Sequence, residues 1–421
     1  MERQTYRIET LGCKANLYDS RRLAEALEGA GLRPAAGDEA PDLCIVNTCT
    51  VTATADRKSR QQAARLARRF PDARVLVTGC YASAAPEDLA DVPGVEAVYG
   101  RDEWPALLQS IGADAQAAEG DFGIGAFGRR TRAFMKVQEG CAAGCSYCIL
   151  PGVRGRPRSR PLRNAVEEAR RLVAAGHAEI VLTGIHLGWY GRDLDGGASL
   201  ADLVRAVAET PGLGRLRLSS VEALEVGEPL LEAMQHPTVC AHLHLPLQSG
   251  DAGVLERMNR PYGPEEFLRV VEMGRDALDR PAITTDVMVG FPGETEAAFE
   301  RTVAVCRRAA FSRMHVFPFS PRPGTPAADM PDRVPPPVVQ ERSEKLRALG
   351  REMAVDWAES FVGQQVRVAF ERCRDGRLTG YSDRYVRVSA TGGPDQVGTV
   401  GRVHCTVSRG SSLVGEVEAQ G

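Results

Sequence analysis

The 421-residue chain has no apolar run approaching the roughly 20 residues that span a bilayer. Its opening Met-Glu-Arg-Gln-Thr begins no signal peptide. Both absences lead to the expectation of a soluble, cytoplasmic protein with no membrane partner. Internal repeats and low-complexity segments are missing. The net charge is only -3, so the overall balance carries no nucleic-acid signal. An even set of cysteines is also lacking. The chain has eleven and is long enough for real hydrophobic cores, so a disulfide framework is excluded and reduced thiols are expected.

Six of those cysteines fall into two sets of three. Cys141, Cys145 and Cys148 are packed as Cys-Ala-Ala-Gly-Cys-Ser-Tyr-Cys, and three thiols in eight residues of loop cannot all face one apolar interior. A four-iron cubane takes one thiolate per iron, so three cysteines leave one iron open for chemistry. Cys13, Cys49 and Cys80 lie far apart, and no spacing rule covers ligands so separated. Packing is their default reading until their contexts (Leu-Gly-Cys, Asn-Thr-Cys, Thr-Gly-Cys) are considered. Cys44, Cys240, Cys306, Cys373 and Cys405 are read as structural.

Length argues for two or three domains. The first segment alternates strand and helix: strands over residues 6–9, 42–46 and 74–78, helices over 20–30, 53–70 and 84–90, which predict an open parallel sheet. Ligands of such sheets bind at the carboxyl edge of the strands. Cys13, Cys49 and Cys80 each follow a strand, so the three can converge on this edge. A Gly-rich, acid-and-alanine stretch over 112–128 reads as a linker. Repeated βα units follow, with strands at 133–137, 179–183, 215–219, 242–245, 283–289 and 314–317. They predict a partial (β/α)6 barrel whose C-terminal mouth carries the ligand loops, the three-cysteine loop among them. A long helix over 338–361 then leads into short strands at 365–370, 385–389 and 401–407, separated by Gly-rich turns, which read as a small β-barrel. The expected fold class is therefore α/β, with domains at 1–115, 127–357 and 358–421.

The motifs Thr10-Leu-Gly-Cys-Lys-Ala-Asn-Leu-Tyr-Asp-Ser20, Asn47-Thr-Cys49, Gly79-Cys80, Cys145-Ser-Tyr-Cys-Ile-Leu-Pro151, Arg154-Gly-Arg, Thr183-Gly-Ile-His-Leu-Gly188, Leu218-Ser-Ser-Val-Glu222, Leu245-Pro-Leu-Gln-Ser-Gly250 and Ser320-Pro-Arg-Pro-Gly-Thr325 resemble the radical S-adenosylmethionine methylthiotransferases over nearly the whole chain. The C-terminal barrel is similar to their TRAM domain. The resemblance implies two 4Fe-4S clusters and S-adenosylmethionine as cofactors. Cys141, Cys145 and Cys148 would hold the cluster that cleaves S-adenosylmethionine, and Cys13, Cys49 and Cys80 an auxiliary cluster where sulfur is methylated. It also implies an electron donor of flavodoxin or ferredoxin type and leaves the sulfur donor open. Tyr147 would pack beside the adenine or anchor its loop. Thr183, Gly184, Ser219 and Ser220 end predicted strands, where they would either donate to the cofactor's methionine or ribose or form turns and caps. Glu222 and Asp286 are candidates for a ribose or ammonium. His242 and His244 alternate on one strand and are read as packed or hydrogen-bonded. Arg322 either touches phosphate or braces its loop.

Members of that family act on an adenosine beside the tRNA anticodon, bearing a threonylcarbamoyl or an isopentenyl group, or on an aspartate of a ribosomal protein. The stretch around Lys14 most resembles the threonylcarbamoyl type, for which the implied reaction is methylthiolation at C2 of the adenosine at position 37. Departures from the family pattern at Ala142-Ala-Gly144 and Pro151-Gly-Val bear on the subtype only. A non-catalytic RNA-binding iron-sulfur protein is the contrasting class, and the intact three-cysteine loop argues against it. Charge distribution points to RNA where net charge does not. Nine basic residues between 129 and 163 face the single acid Glu139. With Arg367, Arg372, Arg374, Arg377, Arg384 and Arg387 of the last segment, residues 154–163 are the candidates for gripping a tRNA anticodon arm.

Overall fold

The computed structural model describes residues 4–115, 123–128 and 130–418; the central part of the expected linker lies outside them. The described chain divides into two compact units. One comprises residues 1–125, 139–157 and 320–328, the other 126–138, 158–319 and 329–421. Among the described residues, no helix is long and apolar enough to cross a membrane.

The first unit is built on a parallel sheet. Its strands are β1 (Thr5–Thr10), β2 (Arg33–Pro34), β3 (Leu43–Thr48), β4 (Arg74–Gly79) and β5 (Ala97–Val98), in the order β2-β1-β3-β4-β5. Every β3 residue is buried, as a strand covered on both faces requires. Leu43 and Ile45 pack into a cluster with Leu23, Leu27, Leu76 and Trp104. Cys44 and Val46 pack on the other side with Ala63, Leu66, Val75 and Val77. Cys44 is thus a core residue, as expected. The strand ends are level: Thr10 lies opposite Asn47 and Thr48 opposite Gly79. Residues 84–90 were expected as one helix; the chain instead forms Cys80–Ala84 and Glu87–Ala90, because Pro86 between them has no N–H to continue the first.

The second unit contains six parallel strands: β6 (Arg132–Lys136), β7 (Glu179–Thr183), β8 (Arg215–Leu218), β9 (His242–His244), β10 (Ala282–Val289) and β11 (Arg313–Pro318). They form two three-stranded sheets, β8-β7-β6 and β9-β10-β11. Bridges Leu216 to Val239 and Ser220 to His244 join the two at β8 and β9. This is the expected partial (β/α)6 barrel. After helix Pro336–Glu359, five strands close a small barrel: β12 (Gln365–Arg374), β13 (Arg377–Ser382), β14 (Arg387–Thr391), β15 (Val400–Arg409) and β16 (Ser412–Val417).

A buried ionic knot fastens this barrel to the larger one. Glu179 is fully buried and accepts from Arg215 and from Arg217, the latter at 2.9 Å. Burial works to raise the Glu179 carboxyl, but the adjacent guanidinium charges of Arg215 and Arg217 outweigh it and hold it below the usual carboxylate range. The same two arginines donate onward to carbonyls of the small barrel: Arg215 to Arg367 O at 2.6 Å and Tyr381 O at 3.0 Å, Arg217 to Ser382 O at 2.9 Å. Removing the one carboxylate leaves two buried cations without a counter-charge, a loss of about 3–5 kcal/mol for a broken buried pair. Glu179→Gln is therefore expected to lower the denaturation midpoint sharply, read by circular dichroism in urea. A change no larger than that of an exposed pair such as Arg163 with Glu167 would remove the knot from the account of stability.

Candidate functional site

In the first unit, each of the three distant cysteines leaves the carboxyl end of a neighbouring strand. Cys13 caps helix Lys14–Gly29, Cys49 directly follows β3, and Cys80 opens helix Cys80–Ala84. Glycine makes the approach possible. Gly12 has φ +96°, and a Cβ there would lie 2.8 Å from Cys49 Sγ, so the turn carrying Cys13 sits against the Cys49 thiol. Gly79 has φ +101°, and its Cβ would stand 2.6 Å from the Thr48 backbone. Burial pushes the Cys49 thiol up to about 11, and the nearby charges of Cys80 and Cys13 add to the rise. Cys80 is also raised by burial, against the lowering charges of Arg154 and Arg101.

The second set lies in the same unit. Gly140, at φ +74°, would place a Cβ 2.0 Å from Arg156 O, so only glycine lets the loop start here. Cys141 N donates to Gly155 O at 3.2 Å, Cys148 N to Cys145 O at 3.0 Å, and Ala327 N to Ser146 O at 2.8 Å. Ala143 N lies 3.4 Å from Cys141 Sγ as a donor. Cys141, Cys145, Tyr147 and Cys148 are half-buried.

Among the described residues, no three His, Cys, Asp or Glu side chains are gathered as one metal ion would need. A cubane makes a different demand, since each thiolate binds its own iron. Two sets of three thiols, each on glycine-shaped backbone and reached by N–H donors, fit that demand, and a coordinated thiol is deprotonated by the metal whatever burial does to it beforehand.

Arg154 is not a surface cation. Its side chain is 0% exposed. Nη1 donates to Asp19 at 3.2 Å and Glu139 at 3.0 Å, Nη2 donates to Asn16 Oδ1, and Nε points at Cys80 Sγ from 3.3 Å. Arg322 resolves to the bracing role. It donates to Asp56 at 2.5 Å and Thr50 at 2.9 Å, steadying the loop after Cys49.

In the second unit, the remaining candidates follow the ends of adjacent barrel strands. Thr183 is buried and pairs in register with Lys136, and Gly184 packs so closely on Gln138 that a Cβ would be 2.9 Å from its side chain. Ser219 is buried, its N–H on Leu182 O at 2.9 Å, while Ser220 is exposed. Glu222 accepts from Arg260. Asp286 lies between two histidines, His244 at 3.3 Å and His315 at 3.2 Å. Burial raises the Asp286 carboxyl, but the hydrogen bonds from His244 and His315 prevail and hold it below the usual carboxylate range. The Asp286 hydrogen bond correspondingly raises His315. His242 and His244 both bond Thr284 Oγ1 at 2.9 Å, and His242 stacks on Tyr385, in line with the packed or hydrogen-bonded reading. Two ionisable contacts that the sequence did not single out are His315 with Asp286, and His186, within the Thr183–Gly188 motif, with Glu225 at 2.7 Å. The available signal for His315 was its alternation with Val316 on a barrel strand.

The candidates for gripping RNA separate by exposure. Arg154 is spent as described, Arg160 pairs with Glu168, Arg367 donates to the carbonyls of Pro237 and Gly214, and Arg384 bonds Asp279 and Asp383. All four guanidinium groups are engaged within the protein. Arg156, Arg158, Arg163, Arg372, Arg374, Arg377 and Arg387 are exposed.

Residues 5–100 match Uncharacterized protein family UPF0004, and residues 135–306 match the Radical SAM superfamily. A threonylcarbamoyladenosine tRNA methylthiotransferase MtaB of Bacillus subtilis (strain 168) is 37% identical over 95% of this chain and 93% of its own length. A protein of the same name from Thermotoga maritima is 38% identical over 91% of each. A tRNA-2-methylthio-N(6)-dimethylallyladenosine synthase of Parafrankia sp. (strain EAN1pec) is 38% identical over 95% of this chain and 86% of its own. Among solved structures, the radical S-adenosylmethionine methyltransferase TsrM from Kitasatospora setae, with cobalamin and a 4Fe-4S cluster bound, superposes with a TM-score of 0.58 over 78% of this chain and 74% of that chain. At 18% identity that likeness is one of fold.

Proposed function

The chain belongs to the radical S-adenosylmethionine tRNA methylthiotransferases, and on that premise we propose that it methylthiolates C2 of N6-threonylcarbamoyladenosine at position 37, beside the tRNA anticodon. The observation that carries the reading is the presence, in one compact unit, of two separate sets of three cysteines on glycine-shaped loops. Cys141, Cys145 and Cys148 would hold one 4Fe-4S cluster with an iron open to S-adenosylmethionine, and Cys13, Cys49 and Cys80 the auxiliary one. When bound, these groups supply the electron, the adenosyl radical and the sulfur. The three functional parts are residues 1–115, 127–357 and 358–421.

The chain's own residues supply position and grip. Tyr147, Thr183, Gly184, Ser219, Ser220, Glu222 and Asp286 are the proposed contacts of S-adenosylmethionine. An adenine C2–H reaches a buried site only when its nucleotide is splayed from the loop, which single-stranded RNA allows at a few kcal/mol. The anticodon arm must then be held by its phosphates. Arg374 lies directly across from Arg377 on paired strands, Arg372 across from Thr379 and Arg387 across from Tyr381, so four exposed arginines lie on three neighbouring strands of the small barrel. Each lost phosphate contact lowers the salt slope of binding by about one unit. Replacing Arg372, Arg374, Arg377 and Arg387 together by Gln is expected to weaken tRNA binding across sequences and reduce that slope by roughly three to four units. Unchanged binding would take the barrel out of the RNA site. Point variants are preferable to truncation, because Arg215 and Arg217 need the barrel's carbonyls.

Lys14, and the near-complete length shared with relatives named for threonylcarbamoyladenosine, favour that substrate over the isopentenyl type. Nucleoside mass spectrometry of tRNA from a deletion strain tests it. Loss of 2-methylthio-threonylcarbamoyladenosine is expected; loss of the isopentenyl derivative instead, or intact tRNA nucleosides with an unmodified aspartate in mass spectra of the strain's ribosomal proteins, would reassign the substrate. An electron donor of flavodoxin or ferredoxin type completes the scheme.

A further inference from the structure

Arg154 occupies a place that neither phosphate binding nor packing accounts for. The helix Leu150–Arg154 begins two residues after Cys148, and Gly155 N closes it on Pro151 O at 3.2 Å. Its last side chain reaches back to the other cysteine set. The guanidinium spends all three nitrogens: Nη1 on Asp19 and Glu139, Nη2 on Asn16, Nε on Cys80 Sγ at 3.3 Å. Arg101 bonds the same two carboxylates, at 2.6 Å to Asp19 and 2.9 Å to Glu139. Two cations and two anions balance one another, so the knot is not an excess of charge left for RNA. Asn16 is fixed in turn by its amide donating to Leu11 O at 2.8 Å and Thr48 O at 2.9 Å. The planar fork is thereby held in one orientation, with Nε–H aimed at sulfur.

We propose that Arg154 is a positioning residue for the auxiliary site, donating to the Cys80 thiolate and raising the reduction potential of the cluster held there. The proposal rests on the auxiliary-cluster reading given above. A hydrogen bond and positive charge at a ligand sulfur draw electron density from it and favour the reduced state. Because Arg154 ends the short helix that follows Cys148, it ties the electronic setting of one site to the backbone next to the other.

The test isolates the auxiliary site in full-length protein carrying Cys141, Cys145 and Cys148 replaced by Ala, reconstituted with iron and sulfide. An EPR-monitored redox titration reads the remaining cluster. Arg154→Met is expected to keep about four irons and to lower the one-electron reduction constant at least tenfold, a fall of about 59 mV. Arg154→Lys, which keeps the charge on a different donor, should recover part of the shift. Asp19→Asn removes a neighbouring negative charge and should move the potential upward. A purely structural role predicts no such opposition of sign. Iron retained with an unchanged potential in Arg154→Met overturns the proposal. If that variant loses its iron, Arg154→Lys and Asp19→Asn decide: shifts of opposite sign uphold the proposal, and equal or absent shifts overturn it. A parent protein that binds no iron would refute the auxiliary-cluster reading itself.

Discussion

Replacing Cys141, Cys145 and Cys148 together by Ala is expected to halve the iron of reconstituted protein, from about eight to about four per chain at one cubane per three-thiolate set, and to abolish cleavage of S-adenosylmethionine. The structure makes this a test of ligation rather than of folding. Backbone bonds hold the loop at Cys141 N, Cys148 N and Ser146 O, and Gly140 sets its entry by contact with the Arg156 carbonyl. None of these uses a thiol, and the variant gives up only the long contact of Ala143 N with Cys141 Sγ among the loop bonds described above. Half-buried cysteines reduced to alanine create at most a small void, well below the cost of emptying a large core side chain. Circular dichroism should therefore be unchanged while iron and cleavage are lost. Full iron in the variant would sink the assignment of the loop.

How far the sequence reveals this arrangement depends on what kind of force sets each part. The convergence of Cys13, Cys49 and Cys80 is legible because parallel strands deliver their ends to one edge, and β1, β3 and β4 are neighbours with level ends. The order of the six barrel strands follows from their alternation with helices. Two strands of the small barrel, β13 and β16, were not read, and the reason is steric. Each carries a glycine that weakens a strand pattern, yet a Cβ at Gly380 would lie 1.8 Å from Ala369 O and one at Gly415 2.2 Å from His404 O. Barrel closure demands the residue that hides the strand.

Arg154 was misread for a different reason: a count of basic residues carries no information on burial. A better signal stood elsewhere. In helix Lys14–Gly29 the buried stripe that contains Leu23 and Leu27 also contains Asn16, Asp19 and Ser20. Polar groups in an apolar stripe need buried partners, and an acid there calls for a buried cation. Nothing in the sequence says which arginine supplies it, since Asp19 and Arg154 are 135 residues apart.

Replacing Cys13, Cys49 and Cys80 together by Ala is expected to leave S-adenosylmethionine cleavage intact and eliminate methylthio transfer. The two sets hang from different backbone, so the 141–148 loop keeps its own scaffold in the variant. Cys49 stays seated through Ser59, which receives its N–H at 3.4 Å and donates to its carbonyl at 3.2 Å, and those bonds survive in alanine. Arg154 loses one acceptor of several and retains Asp19, Glu139 and Asn16, so no uncompensated charge is buried and the fold should hold. Iron should again fall by roughly half, now with deoxyadenosine still formed and no 2-methylthio nucleoside in the tRNA digest. The single change Gly12→Ala should move in the same direction more mildly, because at φ +96° an L side chain is strained by about 1–2 kcal/mol and its Cβ meets Cys49 Sγ at 2.8 Å. Product formed at the wild-type rate by the triple variant would show that sulfur is delivered without these thiols and would leave Arg154 with no cluster to tune.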